Sequence, residues 1–170
     1  HDGDPRPIGG VIGTFGIIQT KNGEIKKIEV HDSYHLEKPV ENRLNVTPPR
    51  PIKDYLASEW FFRDSNWSPD WPTAAQKAEW FYKKEIELTP EEERVVQFNQ
   101  NFDGVIAISP GFVEDLLGIV GPITVEGIEY NQDNFTRLLQ YRVEKGYVKI
   151  GEPAWQRKEV IGEILRELKI

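Results

Sequence analysis

The dipeptide Asn22-Gly23 separates two β-prone runs, Val11 to Gln19 (VIGTFGIIQ) and Glu24 to His31 (EIKKIEVH). An Asn-Gly step between such runs predicts a β-hairpin, because both residues reach left-handed dihedrals at little cost and the twist of the turn matches that of the strands. Everything else in the chain has to be built around that hairpin.

After it, Asp32 to Pro51 is rich in proline and polar residues and reads as a long irregular loop, a feature that in a compact domain is usually functional. Pro51 to Ala57 suits a short helix, Trp60 to Asp64 a brief strand, and Ser65 to Pro72 a turn-rich stretch. Ala74, Ala78, Phe81 and Tyr82, with Trp80 beside them, have helical spacing from Thr73 to about Glu87. Thr89-Pro90 followed by three Glu has the pattern of a second helix start, with Thr as N-cap and acids at the positive end of the dipole. Gly104 to Ser109 (GVIAIS) reads as a buried strand inside the sheet of the hairpin, Pro110 to Leu117 as a helix ended by Gly118, and Pro122 to Val125 as a strand. Asn131 or Asp133 caps a helix to about Glu144, and Pro153 to Leu168 closes the chain with Val160, Ile161, Ile164, Leu165 and Leu168 on one stripe. The alternation predicts an α/β fold: one domain over residues 1–170, with a mixed β-sheet covered by helices on both faces.

Composition narrows the chemistry. The 170 residues hold no cysteine and three histidines, which excludes thiolate metal sites, disulfides and a cysteine nucleophile, and leaves oxygen ligands and a hard cation such as Mg²⁺ as the metal chemistry to consider. The lack of cysteine tilts the compartment toward an extracytoplasmic one. A net charge of −7, from 21 basic and 28 acidic residues, argues against nucleic acid as a partner. No run of about 18 uncharged apolar residues offers a membrane span.

Gly9-Gly10-Val11-Ile12-Gly13 runs into a strand rather than a helix, so a bulged or closely packed strand explains it better than a phosphate loop. His31, Asp32 and Ser33 are adjacent along a strand and face alternate ways, and no G-x-S-x-G elbow is present, so a hydrolase triad is a poor reading. Two clusters remain. Arg63-Asp64-Ser65-Asn66-Trp67-Ser68-Pro69-Asp70-Trp71-Pro72 brings Arg, Asn, two carboxylates and two indoles into ten residues, a set that can line a sugar or phosphate site. The bland alternative is an Asp64–Arg63 pair, a helix cap at Asp70 or Thr73, and tryptophans in the core. His31-Asp32-Ser33-Tyr34-His35 lies at a strand end, where α/β sheets bind ligands.

Four segments in one order, Arg6 to Gly13 (RPIGGVIG), Lys21 to Val30 (KNGEIKKIEV), Arg63 to Pro72 (RDSNWSPDWP) and Asp103 to Ser109 (DGVIAIS), resemble an uncharacterised bacterial surface family, domain of unknown function 4012. Its members usually follow an N-terminal transmembrane helix, so the resemblance implies an extracytoplasmic, membrane-anchored protein. On that reading the chain is an excised domain lacking an N-terminal strand and its anchor, and it meets the membrane only through a segment absent from it. A sheet edge beside Val11 to Gln19 is then expected to lack its neighbour.

More distantly, the chain is similar to the LytR-CpsA-Psr family, which moves glycopolymers from a polyprenyl-pyrophosphate carrier to peptidoglycan. Val30-His31-Asp32-Ser33-Tyr34 resembles that family's Pro-Arg-Asp-Thr-Tyr, Asn66 its Asn before the central helix, and Tyr141-Arg142 its Tyr-x-Arg. The likeness implies catalytic roles for Asp32, Arg63 and Asp64, Mg²⁺ on Asp32, and ligand contacts from Arg6, His31, Asn66, Trp67, Asp70 and Arg142. Against that, His31 stands where the family has Arg, and Ile8 and Gly9-Gly10 follow Arg6 where it has a metal-binding Asp. The expectation is therefore a non-catalytic or weakly active cell-envelope domain binding glycan or a polyprenyl-phosphate-linked ligand. The alternative is an active Mg²⁺-dependent glycopolymer phosphotransferase.

Overall fold

Strand β1 (Thr14–Lys21) and strand β2 (Glu24–Asp32) pair across the two-residue turn that the Asn-Gly step demands. Asn22 and Gly23 both have positive φ, 55° and 79°, and a connection this short joins antiparallel strands only. In this computed structural model, residues 9–97, 101–153 and 156–168 are described. They fall into two compact units, one built from segments 9–15 and 32–106 and the other from segments 16–31 and 107–168, each counted over its described residues.

In the first unit, α1 (Tyr34–Glu37) and a 3₁₀ turn (Lys38–Val40) occupy what the proline content marks as loop; Leu36 and Val40 give them a buried side. Helix α2 (Arg50–Tyr55) begins one residue before the expected Pro51. Phe62–Trp67 is a 3₁₀ segment where a strand beginning at Trp60 is expected, since Asp, Ser and Asn favour local turns over a ladder. The long helix α3 (Trp71–Leu88) buries Ala74, Ala78, Phe81 and Tyr82, as their spacing requires. Its edge-to-face ring contacts reach Trp60 from Phe81, at 5.2 Å, and Phe15 from Tyr82, at 5.8 Å.

Asp70 is the N-cap of α3: its Oδ2 accepts from the Thr73 N–H at 2.9 Å and from the Thr73 hydroxyl at 2.6 Å. Those two bonds hold its carboxyl below the usual carboxylate range. Asp70→Ala is expected to bring a small drop in the urea midpoint that Asp70→Ser largely restores, because serine supplies the same acceptor. Thr89 does not start a helix. Its hydroxyl instead donates to the Glu85 carbonyl at 2.7 Å and closes α3, leaving a single 3₁₀ turn at Glu91–Glu93.

The second unit holds the body of the hairpin, α4 (Pro110–Val120), a second hairpin of β3 (Ile123–Val125) and β4 (Ile128–Tyr130), α5 (Phe135–Tyr141), a π-turn (Arg142–Gly146), α6 (Tyr147–Lys149) and α7 (Glu159–Glu167). Ser109, not a residue singled out by the sequence, caps α4 through the Phe112 N–H at 3.1 Å. β3 and β4 run antiparallel with Ile123 opposite Tyr130 and Val125 opposite Ile128. Val113 and Leu117 of α4, Val125, Tyr130, Phe135, and Val160 and Ile164 of α7 form one core. Close approach explains Gly162 of α7: a Cβ there would lie 3.3 Å from Cγ2 of Val30.

The α/β class holds, but among the described residues the strands form two separate two-stranded sheets rather than one mixed sheet covered by helices on both faces. Gly104 to Ser109 is the main correction. The segment has no strand conformation, and Ile106 and Ile108 are 80% and 44% exposed. An apolar run becomes a buried strand only where a neighbouring strand takes its ladder, and among the described residues β1 pairs with β2 alone. No helix among the described residues is long and apolar enough to cross a membrane.

Candidate functional site

The end of β2, helix α1 and the 3₁₀ segment 62–67 bring the first unit's polar candidates together. Asp32 is buried, and its Oδ1 accepts from the Tyr34 N–H at 3.1 Å, an Asx arrangement that starts α1. Ser33 is held by the Gly13 carbonyl, which accepts from its N–H at 3.2 Å and its hydroxyl at 3.4 Å. The Gly-rich segment is thereby a backbone partner rather than a phosphate loop: the Ile12 N–H donates to the Arg63 carbonyl at 2.9 Å, and Asn66 Nδ2 donates to the Gly10 carbonyl at 2.9 Å. Asn66 is buried by that contact and Trp67 is half-buried.

Arg63 is the centre of the group. Its Nη1 lies 2.9 Å from Oε1 of Glu37 and its Nε 3.5 Å from Oδ2 of Asp64, both carboxylates being buried. The guanidinium carbon sits 5.5 Å from the centroid of the Tyr34 ring and 5.9 Å from that of Phe61. Nη2 carries none of these ion pairs, and the side chain is 22% exposed beside Tyr34, itself 49% exposed. Behind this face lies Glu85 of α3, fully buried, its Oε1 accepting from the Phe62 N–H at 2.7 Å.

Burial dominates the acid–base chemistry here. It pushes Glu37 up to about 7, against the pull of Arg63 and with repulsion from Asp64, Glu41 and Asp32. It pushes Glu85 up to about 8, opposed by the Phe62 N–H and by Arg63, with Glu37 adding to the rise. Oε2 of each glutamate is buried with no hydrogen-bond partner, which disfavours the ionised form. Neither glutamate is among the residues the sequence singles out. Glu85 had a readable signal, since it falls three residues after Tyr82 on the apolar stripe of α3; Glu37 had none, because its short helix lies in an apparent loop.

Of the other candidates, three have partners of their own and the fourth falls outside the described residues. Arg6 is outside the described residues. His31 belongs to the second unit, where its Nε2 lies 3.3 Å from Glu29 Oε2. Asp70 is exposed and occupied as a cap. Arg142 is also in the second unit, buried, with Nε and Nη2 donating to Glu126 at 2.6 and 2.7 Å and Nη1 donating to Glu152 at 2.7 Å. Every edge of its guanidinium is taken by carboxylate.

Mg²⁺ does not fit these residues well. Asp32 spends Oδ1 on a backbone N–H, Glu37 and Asp64 face a guanidinium, and no group of three candidate ligands converges among the described residues. The arrangement can instead accept an anion at the partly exposed guanidinium of Arg63, with an aromatic ring alongside and a protonatable carboxyl on Nη1. A family model described as a protein of unknown function (DUF4012) matches residues 2–143. No curated protein and no solved structure matches the chain.

Proposed function

The chain belongs to the DUF4012 family, whose description carries no reaction, and from that premise we propose that it is a non-catalytic or weakly active binding domain of the bacterial cell envelope. On this reading it is of the LytR-CpsA-Psr type and takes a glycan or a polyprenyl-phosphate-linked ligand on the Arg63 face. In the full-length protein it is extracytoplasmic and membrane-anchored, an inference that rests on the sequence resemblance alone.

The observation that carries the reading is the state of Arg63: Nη1 and Nε pair with Glu37 and Asp64 while the side chain stays 22% exposed beside Tyr34. A partly exposed guanidinium can select an anionic group, and a sugar ring can stack on the adjacent phenol. Transfer from a pyrophosphate carrier asks for more. Charge building up on the leaving pyrophosphate has to be neutralised by several cations or a metal, and here the guanidinium is already opposed by two carboxylates. Binding without turnover follows.

The test is a titration of wild type and Asp32→Asn with a short-chain prenyl-pyrophosphoryl-N-acetylglucosamine diester and Mg²⁺. Wild type is expected to bind saturably and release no prenyl phosphate. Asp32→Asn is expected to bind at least as tightly as wild type, because asparagine keeps the acceptor for the Tyr34 N–H and removes one negative charge near Arg63. Robust release of prenyl phosphate would establish the transferase alternative instead.

A further inference from the structure

We infer that an anion binding at Arg63 draws a proton onto Glu37, so that the affinity of this face for its ligand falls as pH rises. The inference rests on the Arg63 face being the ligand site. It adds to that reading a coupled proton and a carboxyl group that the sequence did not single out.

The geometry makes Glu37 and an incoming anion rivals for the same cation. Glu37 Oε1 lies 2.9 Å from Nη1 of Arg63, and the same guanidinium, partly exposed beside Tyr34, is the group a ligand reaches. When Glu37 is ionised, two carboxylates, Glu37 and Asp64, compete with an approaching anion for Arg63. When Glu37 is neutral, the guanidinium is opposed by one carboxylate fewer. The second oxygen of Glu37 is buried without a partner, so ionisation leaves a desolvated charge unsatisfied and the neutral form lies close in energy.

The other groups around it point the same way. Asp32 at the end of β2, Asp64 on the 3₁₀ segment, Glu41 beyond the 38–40 turn and Glu85 on α3 bring negative or ionisable carboxyls to bear, and Arg63 opposes them with its positive charge. His35 stands two residues earlier on the same turn. Burial has already brought Glu37 up to about 7, so a bound anion raises it further and proton uptake falls in the neutral to mildly alkaline range. Linkage limits the effect to about tenfold in affinity per pH unit.

The experiment is calorimetry with the prenyl-pyrophosphoryl-N-acetylglucosamine diester, whose own charge does not change across this range, in two buffers of different ionisation enthalpy. Wild type is expected to take up a fraction of a proton per ligand at pH 7.5 and to bind roughly three- to tenfold more weakly for each pH unit above 7. Glu37→Gln is expected to bind with a pH-independent affinity and no uptake. The wild-type proton count stands by itself should that variant fail to fold. Binding that Arg63→Gln abolishes but that shows no proton uptake overturns the coupling and leaves the site. Binding indifferent to Arg63→Gln, or no binding at any pH, removes the site and the coupling with it.

Discussion

Replacing Arg142 with alanine is expected to cost about 3 kcal/mol of stability, toward the low end for a broken buried ion pair because Glu126 is partly open to solvent. The guanidinium is 4% exposed and holds Glu126 by two bonds and Glu152 by a third, so its removal strands two carboxylates at once. Glu126 adds to the loss. It occupies the first position of the two-residue β3–β4 turn with φ of 51°, where Gly, Asn or Asp would be at ease, and the contact with Arg142 accounts for a glutamate there. Arg142→Lys keeps the charge but not the fork and should recover only part of the loss. Urea unfolding followed by tryptophan fluorescence and by circular dichroism measures it. The same pair sets the acid limb. Arg142 holds the Glu126 carboxyl below its usual range, so the contribution is present above an ordinary carboxylate pKa of 4.5 and disappears as pH falls through the lowered value.

The first unit behaves in the opposite sense. Glu37 and Glu85 ionise at 4.5 in the unfolded chain but at about 7 and about 8 when folded, so between those values the folded state holds protons that the unfolded state has released. Stability is therefore greatest below about 4.5 and is lost as pH rises through 7 and 8, by an amount on the order of 3 kcal/mol for the coupled pair. Urea midpoints at pH 5.5, 7 and 9 should fall in that order. Glu85→Gln is expected to flatten most of the slope, because glutamine can still accept from the Phe62 N–H and cannot ionise. Equal midpoints at pH 5.5 and 9 would contradict the burial of these two acids.

What could be read from the sequence was local. The Asn22-Gly23 turn and the stripe and Asp70 cap of α3 are specified within a few residues and stand where the sequence put them, as do Val160 and Ile164 on α7, although that helix starts at Glu159 rather than Pro153. The misreadings share one cause. Gly104 to Ser109 has the composition of a buried strand, yet a strand needs a neighbour, and no property of the segment itself reports whether one exists. Thr89-Pro90-Glu91 has the chemistry of a helix start, but the Thr89 hydroxyl bonds back to Glu85. At the site, Asp32, Arg63, Asp64 and Asn66 come from two segments separated by thirty residues, and two strong motifs pointed to them. Glu37 escaped notice because its role depends on where α1 delivers it, against Arg63, and not on its neighbours in the chain.

The most direct test of the binding reading observes Arg63 itself. In ¹H–¹⁵N spectra of the full chain, titration with the prenyl-pyrophosphoryl-N-acetylglucosamine diester should saturate with a shift of the Arg63 Nε–H resonance. Arg63→Gln should abolish binding, and no prenyl phosphate should appear with Mg²⁺ present. Saturation that leaves Arg63 unmoved, or survives Arg63→Gln, would contradict the account.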